Sequence, residues 1–286
     1  MNPTETRAVL DRHGLRPSRE RGQNFLCDER VAARLAEAAE VGPQDFVLEI
    51  GCGLGLLTRA LAVRARRVLA LEIDAGLVRA VRAEGLLPEG AELRHEDALA
   101  VDLGELLGAE PAPRRLVANL PYAVSSPLLR RILDEATWLV GWSVMVQREV
   151  ALRLSAETGT RDYGSLSVLH RLSADVEIVR DVAAACFHPI PQVVSTFVRL
   201  SPRADAPAPD ELLRIERWVR AGFGQRRKTL RNALRGAPNP PAAPDVIDRQ
   251  LAAHGVGERA RAEEVPPELW RELARSATTG TAHGAD

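Results

Sequence analysis

Asn119-Leu120-Pro121-Tyr122 directly follows Arg115-Leu116-Val117-Ala118, an apolar run that reads as a buried strand ending on an amide, a proline and an aromatic ring. An amide oxygen and a backbone carbonyl can together hold an exocyclic amine, while a ring stacks on the flat base that carries it. Proline has a fixed φ and so sets the turn that points the Leu120 carbonyl inward. Asn119 and Leu120 are the expected acceptors and Tyr122 the expected stacking ring. The competing reading of Tyr122 is a buried aromatic beneath the following helix.

A second set of chemical residues lies upstream. Glu49-Ile50-Gly51-Cys52-Gly53-Leu54-Gly55 sits at a strand-to-helix turn, where glycines permit a tight turn and close approach of a nucleotide to the backbone. An ordinary βα turn can also be glycine-rich. Glu72 ends the next apolar run, 21 residues after Gly51, where its carboxylate can accept both hydroxyls of a ribose. Asp97 follows a third run and is placed to accept from an adenine amine. In an open parallel sheet, ligands bind at the carboxyl ends of strands, where all these residues gather. A nicotinamide dinucleotide enzyme would place a third glycine at position 56, which is Leu56. Glu49 has two readings of equal weight: it faces a sulfonium cation, or it caps loop amides.

The elements that position these groups alternate. Asp45–Ile50, Arg67–Ile73, Ala91–His95, Leu116–Ala118 and Trp142–Val146 read as strands. Helical stretches lie between several of them, one near Leu77–Ala83, and another follows at Gln147–Ala156. Asp28 is the expected N-cap of an earlier amphipathic helix. Strand–helix alternation implies right-handed crossovers and a parallel sheet covered on both faces, an α/β fold. Leu166–Leu169, Val176–Val179 and Ser195–Leu200 then read as closely spaced strands, an antiparallel addition at the sheet edge. The Pro/Ala-rich stretch Ser201–Pro209 marks a boundary, beyond which helices follow.

The net charge of −1 over 286 residues gives no global sign of a polyanionic partner, but its distribution does. Arg214, Arg217, Arg220, Arg226, Arg227, Lys228, Arg231 and Arg235 face a single acid, Glu216, in one short stretch. A segment reading as a poorly structured arm, residues 1–21, adds Arg7, Arg12, Arg16, Arg19 and Arg21. Two basic segments in a balanced chain suit a local nucleic-acid contact, although a solvated helix face has the same composition. Three scattered cysteines without Cys-x-x-Cys spacing argue against a disulfide framework or metal site and fit a cytoplasmic protein. No long apolar run suggests a membrane span, and nothing requires more than a monomer.

These motifs, in their order, resemble the ribosomal RNA adenine N6-dimethyltransferase family. The resemblance adds Gly22-Gln23-Asn24-Phe25-Leu26, Leu71-Glu72-Ile73-Asp74, Glu96-Asp97-Ala98, Asp162-Tyr163-Gly164-Ser165-Leu166-Ser167, Phe187-His188-Pro189-Ile190-Pro191 and Phe223-Gly224-Gln225-Arg226-Arg227-Lys228-Thr229-Leu230-Arg231-Asn232, and runs from about Arg21 to Leu234. It implies a Rossmann-like S-adenosylmethionine-dependent methyltransferase domain over 22–203 and a helical rRNA-binding domain over 208–276; the Thr/Gly/Ala composition of the end reads as a disordered tail over 277–286. Gln23, Asn24 and Leu26 would close over the cofactor, and Gly51 and Gly53 would approach it. Glu72 would hold the ribose, Asp97 the adenine, and Asn119 would border the methionine end. The last of these motifs particularly resembles the small-subunit branch, which methylates two adjacent adenines near the 3′ end of that rRNA; the large-subunit, macrolide-resistance branch is the alternative. The family usually shows proline where Cys52 stands and aspartate where Val194 stands, so no role for that acid carries over.

Adenine's amine is a poor nucleophile, whereas a methyl sulfonium is a strong electrophile, so in-line positioning and well-placed acceptors suffice without a metal or covalent nucleophile. Phe187, followed closely by Pro189 and Pro191, is the expected second stacking wall; its alternative is core packing. Extruding a base costs a few kcal/mol, and stacking returns about 1–3 kcal/mol per base. Arg227, Lys228 and Arg231, at helical spacing beside Arg226, are the expected face for RNA phosphates. An assembly checkpoint acting on the small subunit mainly by binding is a further alternative.

Overall fold

The computed structural model describes residues 1–18, 22–225 and 227–279. The chain divides into two compact units, Met1–Ala151 with Glu177–Pro202, and Leu152–Val176 with the residues from Arg203 onward. Residues 152–176, expected within the methyltransferase domain, thus cluster with the C-terminal residues.

The first unit begins with helix α1 (Pro3–Arg12), where the sequence suggested an unstructured arm. The cause is local: the Asn2 side chain accepts from the Glu5 amide at 3.0 Å, and Glu5 accepts in return from the Asn2 amide at 2.9 Å. That reciprocal cap, with Pro3 at the first helical position, is legible as Asn-Pro-x-Glu. The short strand β1 (Phe25–Leu26) and helix α2 (Glu29–Ala38) follow, α2 capped by Asp28 as expected. Then come β2 (Phe46–Ile50), α3 (Leu56–Ala62), β3 (Arg67–Glu72), α4 (Ala75–Ala83), β4 (Ala91–His95), α5 (Leu103–Gly108), β5 (Arg114–Asn119), α6 (Ser125–Asp134), β6 (Gly141–Gln147) and α7 (Arg148–Ser155). Helix α8 (Ser165–Ser173) precedes β7 (Ala174–Val182), the two-residue β8 (Phe187–His188) and β9 (Ser195–Pro202).

The main sheet runs β4-β3-β2-β5-β6-β9-β7. Its β4-to-β6 neighbours pair in parallel, and β9 adds antiparallel to β6 from Trp142↔Leu200 to Gln147↔Ser195. The order reverses beside β2, so the carboxyl ends of β2 and β5 open the crevice where such sheets bind ligands. Central β2 is buried throughout, its apolar side chains packing both faces. A separate two-stranded ribbon pairs β1 with β8 antiparallel, Phe25↔His188 and Leu26↔Phe187.

The second unit is helical: α8, α9 (Pro209–Phe223), α10 (Leu230–Arg235), α11 (Pro244–Ala253) and α12 (Pro267–Thr279). Leu166–Leu169, expected as a strand, lies inside α8; Val168, Leu169 and Leu172 form a buried helical stripe, and a short apolar run alone suits either element. Tyr163 donates its buried hydroxyl to the Val265 carbonyl at 2.7 Å, and its ring meets Phe223 edge-on at 5.9 Å, with Trp270 5.7 Å beyond. Glu211 receives Arg271 at 2.8 and 3.0 Å and also Arg275; with Arg271 as the chief cause, its carboxyl is held down to about 2. Residues 280–286 of the expected tail lie outside the described residues, and 277–279 belong to α12. No helix among the described residues is long and apolar enough to cross a membrane.

Candidate active site

A cavity of about 290 Å³ opens at the carboxyl ends of β2, β3 and β5. Its floor is the glycine turn between β2 and α3. Gly51 and Gly53 take left-handed φ values of +74° and +58°, and a Cβ on Gly53 would lie 2.9 Å from the Phe25 ring. Only glycine meets both the conformation and the close approach. Glu72, 5% exposed, braces the turn: one carboxylate oxygen accepts from the Gly53 amide at 2.9 Å, the other from the Asp74 amide at 3.0 Å. Burial raises its pKa despite those amides.

Glu49 lies 1% exposed at the end of β2 and also lines the cavity. Among the described residues its Oε2 has no hydrogen-bond partner. Burial pushes the carboxyl up to about 8, Glu72 adding to the shift and Thr58 opposing it. A buried carboxyl with an unused acceptor beside a cavity suits a cationic ligand. Glu72, rather than Glu49, takes the Gly53 amide of the loop. Asp97 accepts from the Leu99 amide at 2.9 Å and lines the same cavity. Phe25, Ile73 and Leu99 add apolar walls that sequence reasoning missed. Ile73 and Leu99 are exposed large side chains directly beside the strand-end acids, a visible signal.

Asn119 ends β5, and its side-chain amide donates to the Asn24 carbonyl at 3.1 Å. That bond fixes the flip of the amide and leaves Oδ1 as an acceptor. Asn24 in turn donates its side-chain amide to Gly22 O at 3.2 Å. The Leu120 amide is taken by the Met145 carbonyl at 3.1 Å, and Leu120, Pro121 and Tyr122 line the cavity with Gln23, Asn24 and Leu26. The Tyr122 hydroxyl pairs with buried Ser195 on β9, and burial raises the phenol pKa. Gln23 is pinned by the Ser18 amide at 2.9 Å. The cofactor-side residues expected from sequence therefore gather around one cavity.

Phe187 does not join them. It is 1% exposed and belongs to the core formed with Leu26, Ala32, Met145 and Phe197. The β1–β8 pairing turns it inward opposite Leu26. In the helical unit, Arg227 and Lys228 are exposed in the turn before α10 rather than on a helix, because α10 begins only at Leu230. Arg231 does lie on α10, but Asp248 of α11 grips it at 2.8 and 2.6 Å. Arg226 falls outside the described residues.

A family model described as ribosomal RNA adenine dimethylase matches residues 15–278. The chain belongs to the ribosomal RNA adenine dimethylase family. Within it, the chain is 36% identical over 278 residues to a ribosomal RNA small subunit methyltransferase A of Clostridium acetobutylicum, covering 96% of this chain and 98% of the relative. The solved structure of the 23S rRNA methyltransferase ErmE is 31% identical at a TM-score of 0.62, covering 89% of this chain and 99% of that one. A dimethyladenosine transferase from Plasmodium falciparum shares the fold at a TM-score of 0.74 and 23% identity, covering 89% and 98%. The Rossmann-like α/β expectation holds across that family fold. Cys52 is 7% exposed in the turn, its thiol pushed well up by burial. Val194 is 41% exposed, and its carbonyl accepts from the Arg148 amide.

Proposed function

We propose that this member of the family dimethylates the N6 amines of two adjacent adenines near the 3′ end of small-subunit (16S) rRNA, and that the small ribosomal subunit is its partner. The observation that carries the chemistry is the orientation of Asn119: with its nitrogen tied to the Asn24 carbonyl, its oxygen is the group left to accept from an amine in the cavity. The methyl donor is S-adenosylmethionine, which supplies an activated methyl group on a cationic sulfur. Glu49, buried with a free oxygen, faces that cation, whose charge would favour its ionised form against the effect of burial; Glu72 offers its remaining lone pairs to the ribose and Asp97 its carboxylate to the adenine amine.

The target adenine slides against Tyr122, whose ring is held by Ser195. Asn119 Oδ1 and the Leu120 carbonyl accept its two N–H groups, favouring a pyramidal nitrogen with its lone pair turned toward the donor. No side chain need remove a proton beforehand: S-adenosylmethionine, when bound, would supply the methyl carbon and keep the carbon–sulfur electron pair as the departing thioether, and the methylated nitrogen would then lose its proton to solvent. Core burial of Phe187 leaves Tyr122 as the stacking ring. Arg227 and Lys228, exposed in the turn before α10, supply phosphate contacts from the helical unit.

The test is to incubate the protein with labelled S-adenosylmethionine and under-methylated small subunits, then map the modified nucleotides. Dimethylated adjacent adenines near the 3′ end are expected. Label on large subunits alone would assign the chain to the activity named for ErmE, and subunit binding without transfer would make it an assembly factor.

A further inference from the structure

A second groove, of about 280 Å³, lies outside the cofactor cavity in the first unit, lined by Arg7, Leu10, Asp11, Leu15, Arg16, Pro17 and His188. Arg7 projects from α1 and Arg16 from the segment that follows it, both exposed. Among the described residues neither is gripped by a carboxylate within ion-pair distance. Arg12 of the same helix shows the contrast: Glu84 receives it at 3.0 and 2.7 Å, and the paired carboxyl falls to about 2 with Arg12 as the chief cause. One arginine of this region is therefore committed, while two remain available around the groove with Asp11 as the single acid among its lining residues.

His188 completes the lining and ties the groove to the active site. It sits on β8 directly opposite Phe25 of β1, and Phe25 lines the cofactor cavity. Groove and cavity thus border the same two-stranded ribbon, where paired backbones stand about 5 Å apart. We propose that this groove binds a phosphate of the rRNA backbone, with Arg7, Arg16 and His188 as donors, and so registers the strand that presents the target base. The inference rests on the RNA-directed reading above. Guanidinium groups recognise phosphate oxygens in a forked geometry, and phosphate contacts fix register without reading sequence. Burial, then Arg7, holds the His188 pKa below its ordinary value while Asp11 opposes them, so a bound anion would raise it again.

The experiment compares the parent with an Arg7→Gln/Arg16→Gln variant for binding to under-methylated small subunits across a salt series. A loss of about tenfold near physiological salt is expected, with a salt dependence shallower by about one to two phosphate contacts. S-adenosylmethionine affinity and melting temperature stay at parental values, since both arginines are exposed and neither is in an ion pair among the described residues. Separately, the His188 ring is titrated by NMR with inorganic phosphate and with a short oligoribonucleotide, and its pKa rises with each. Parental subunit affinity in the variant overturns the groove assignment while leaving the RNA reading intact. A parent chain that does not bind subunits overturns both. A His188 response to inorganic phosphate alone, with unchanged subunit affinity, makes this a site for free anions and overturns the rRNA assignment.

Discussion

Asn119 and Glu49 show how single side chains acquire chemistry from what surrounds them. Asn119 is oriented by a backbone carbonyl 95 residues earlier in the chain. Its replacement by alanine removes one acceptor from the transition state, and single-turnover methyl transfer is expected to slow by about 10²–10³-fold, the usual scale for one preorganised polar group. A transfer rate within a few-fold of the parent would exclude the amine-acceptor role. Glu49 has its carboxyl raised from 4.5 to about 8 by burial, so the folded chain holds that proton more tightly than the unfolded chain does. The stability this contributes is complete below pH 4.5 and is lost as pH rises towards 8. Glu49→Gln lacks that titration. Melting curves from pH 5 to 8.5 should therefore show the parent losing up to a few kcal/mol relative to the variant; parallel curves would show that Glu49 is ionised throughout.

At the scale of elements, the β1–β8 ribbon separates two aromatic residues that looked equivalent as sequence. Phe187→Ala should cost about 3–5 kcal/mol of stability, read by denaturant unfolding, because it empties a packed core position. Tyr122→Ala should cost much less stability and instead reduce transfer, with S-adenosylmethionine still bound. Normal stability in Phe187→Ala together with lost transfer would restore Phe187 as a stacking wall. The strand ends were legible because each apolar run stops at a glycine, a carboxylate or, at Asn119 and Gln147, an amide. Phe187 was not, since the rigid Pro189 and Pro191 suit a presented ring and an inward one equally, and pairing across 161 residues decides between them. The α1 cap was visible in Asn2 and Glu5, but a count of arginines reads such a segment as an arm. In α8 the apolar run carries both periodicities, and only burial of one helical stripe resolves it.

For the whole molecule, the question is which cations remain for RNA once the fold has used its share. Arg231 shares Asp248 with Arg235, which lies 3.5 Å away, a link between α10 and α11 that no local spacing reveals. Arg227→Glu/Lys228→Glu is therefore expected to abolish rRNA binding, measured by filter retention, while S-adenosylmethionine affinity stays parental. Arg231→Glu places two carboxylates together and should lower the melting temperature as well, so its binding defect has a structural share. Undiminished RNA affinity in the Arg227/Lys228 variant would rule out the turn before α10 as the contact.

The two amide bonds accepted by Glu72 give that residue a double inheritance. Its carboxylate belongs to the sheet and the loop before it belongs to any ligand. Glutamine at this position would turn one acceptor into a donor confronting a backbone N–H, and the turn would loosen even in an empty protein. A weakened cofactor affinity in such a variant would thus mix a lost ribose contact with a floor that no longer holds its shape. The two separate only by comparing ligand-free melting with ligand binding.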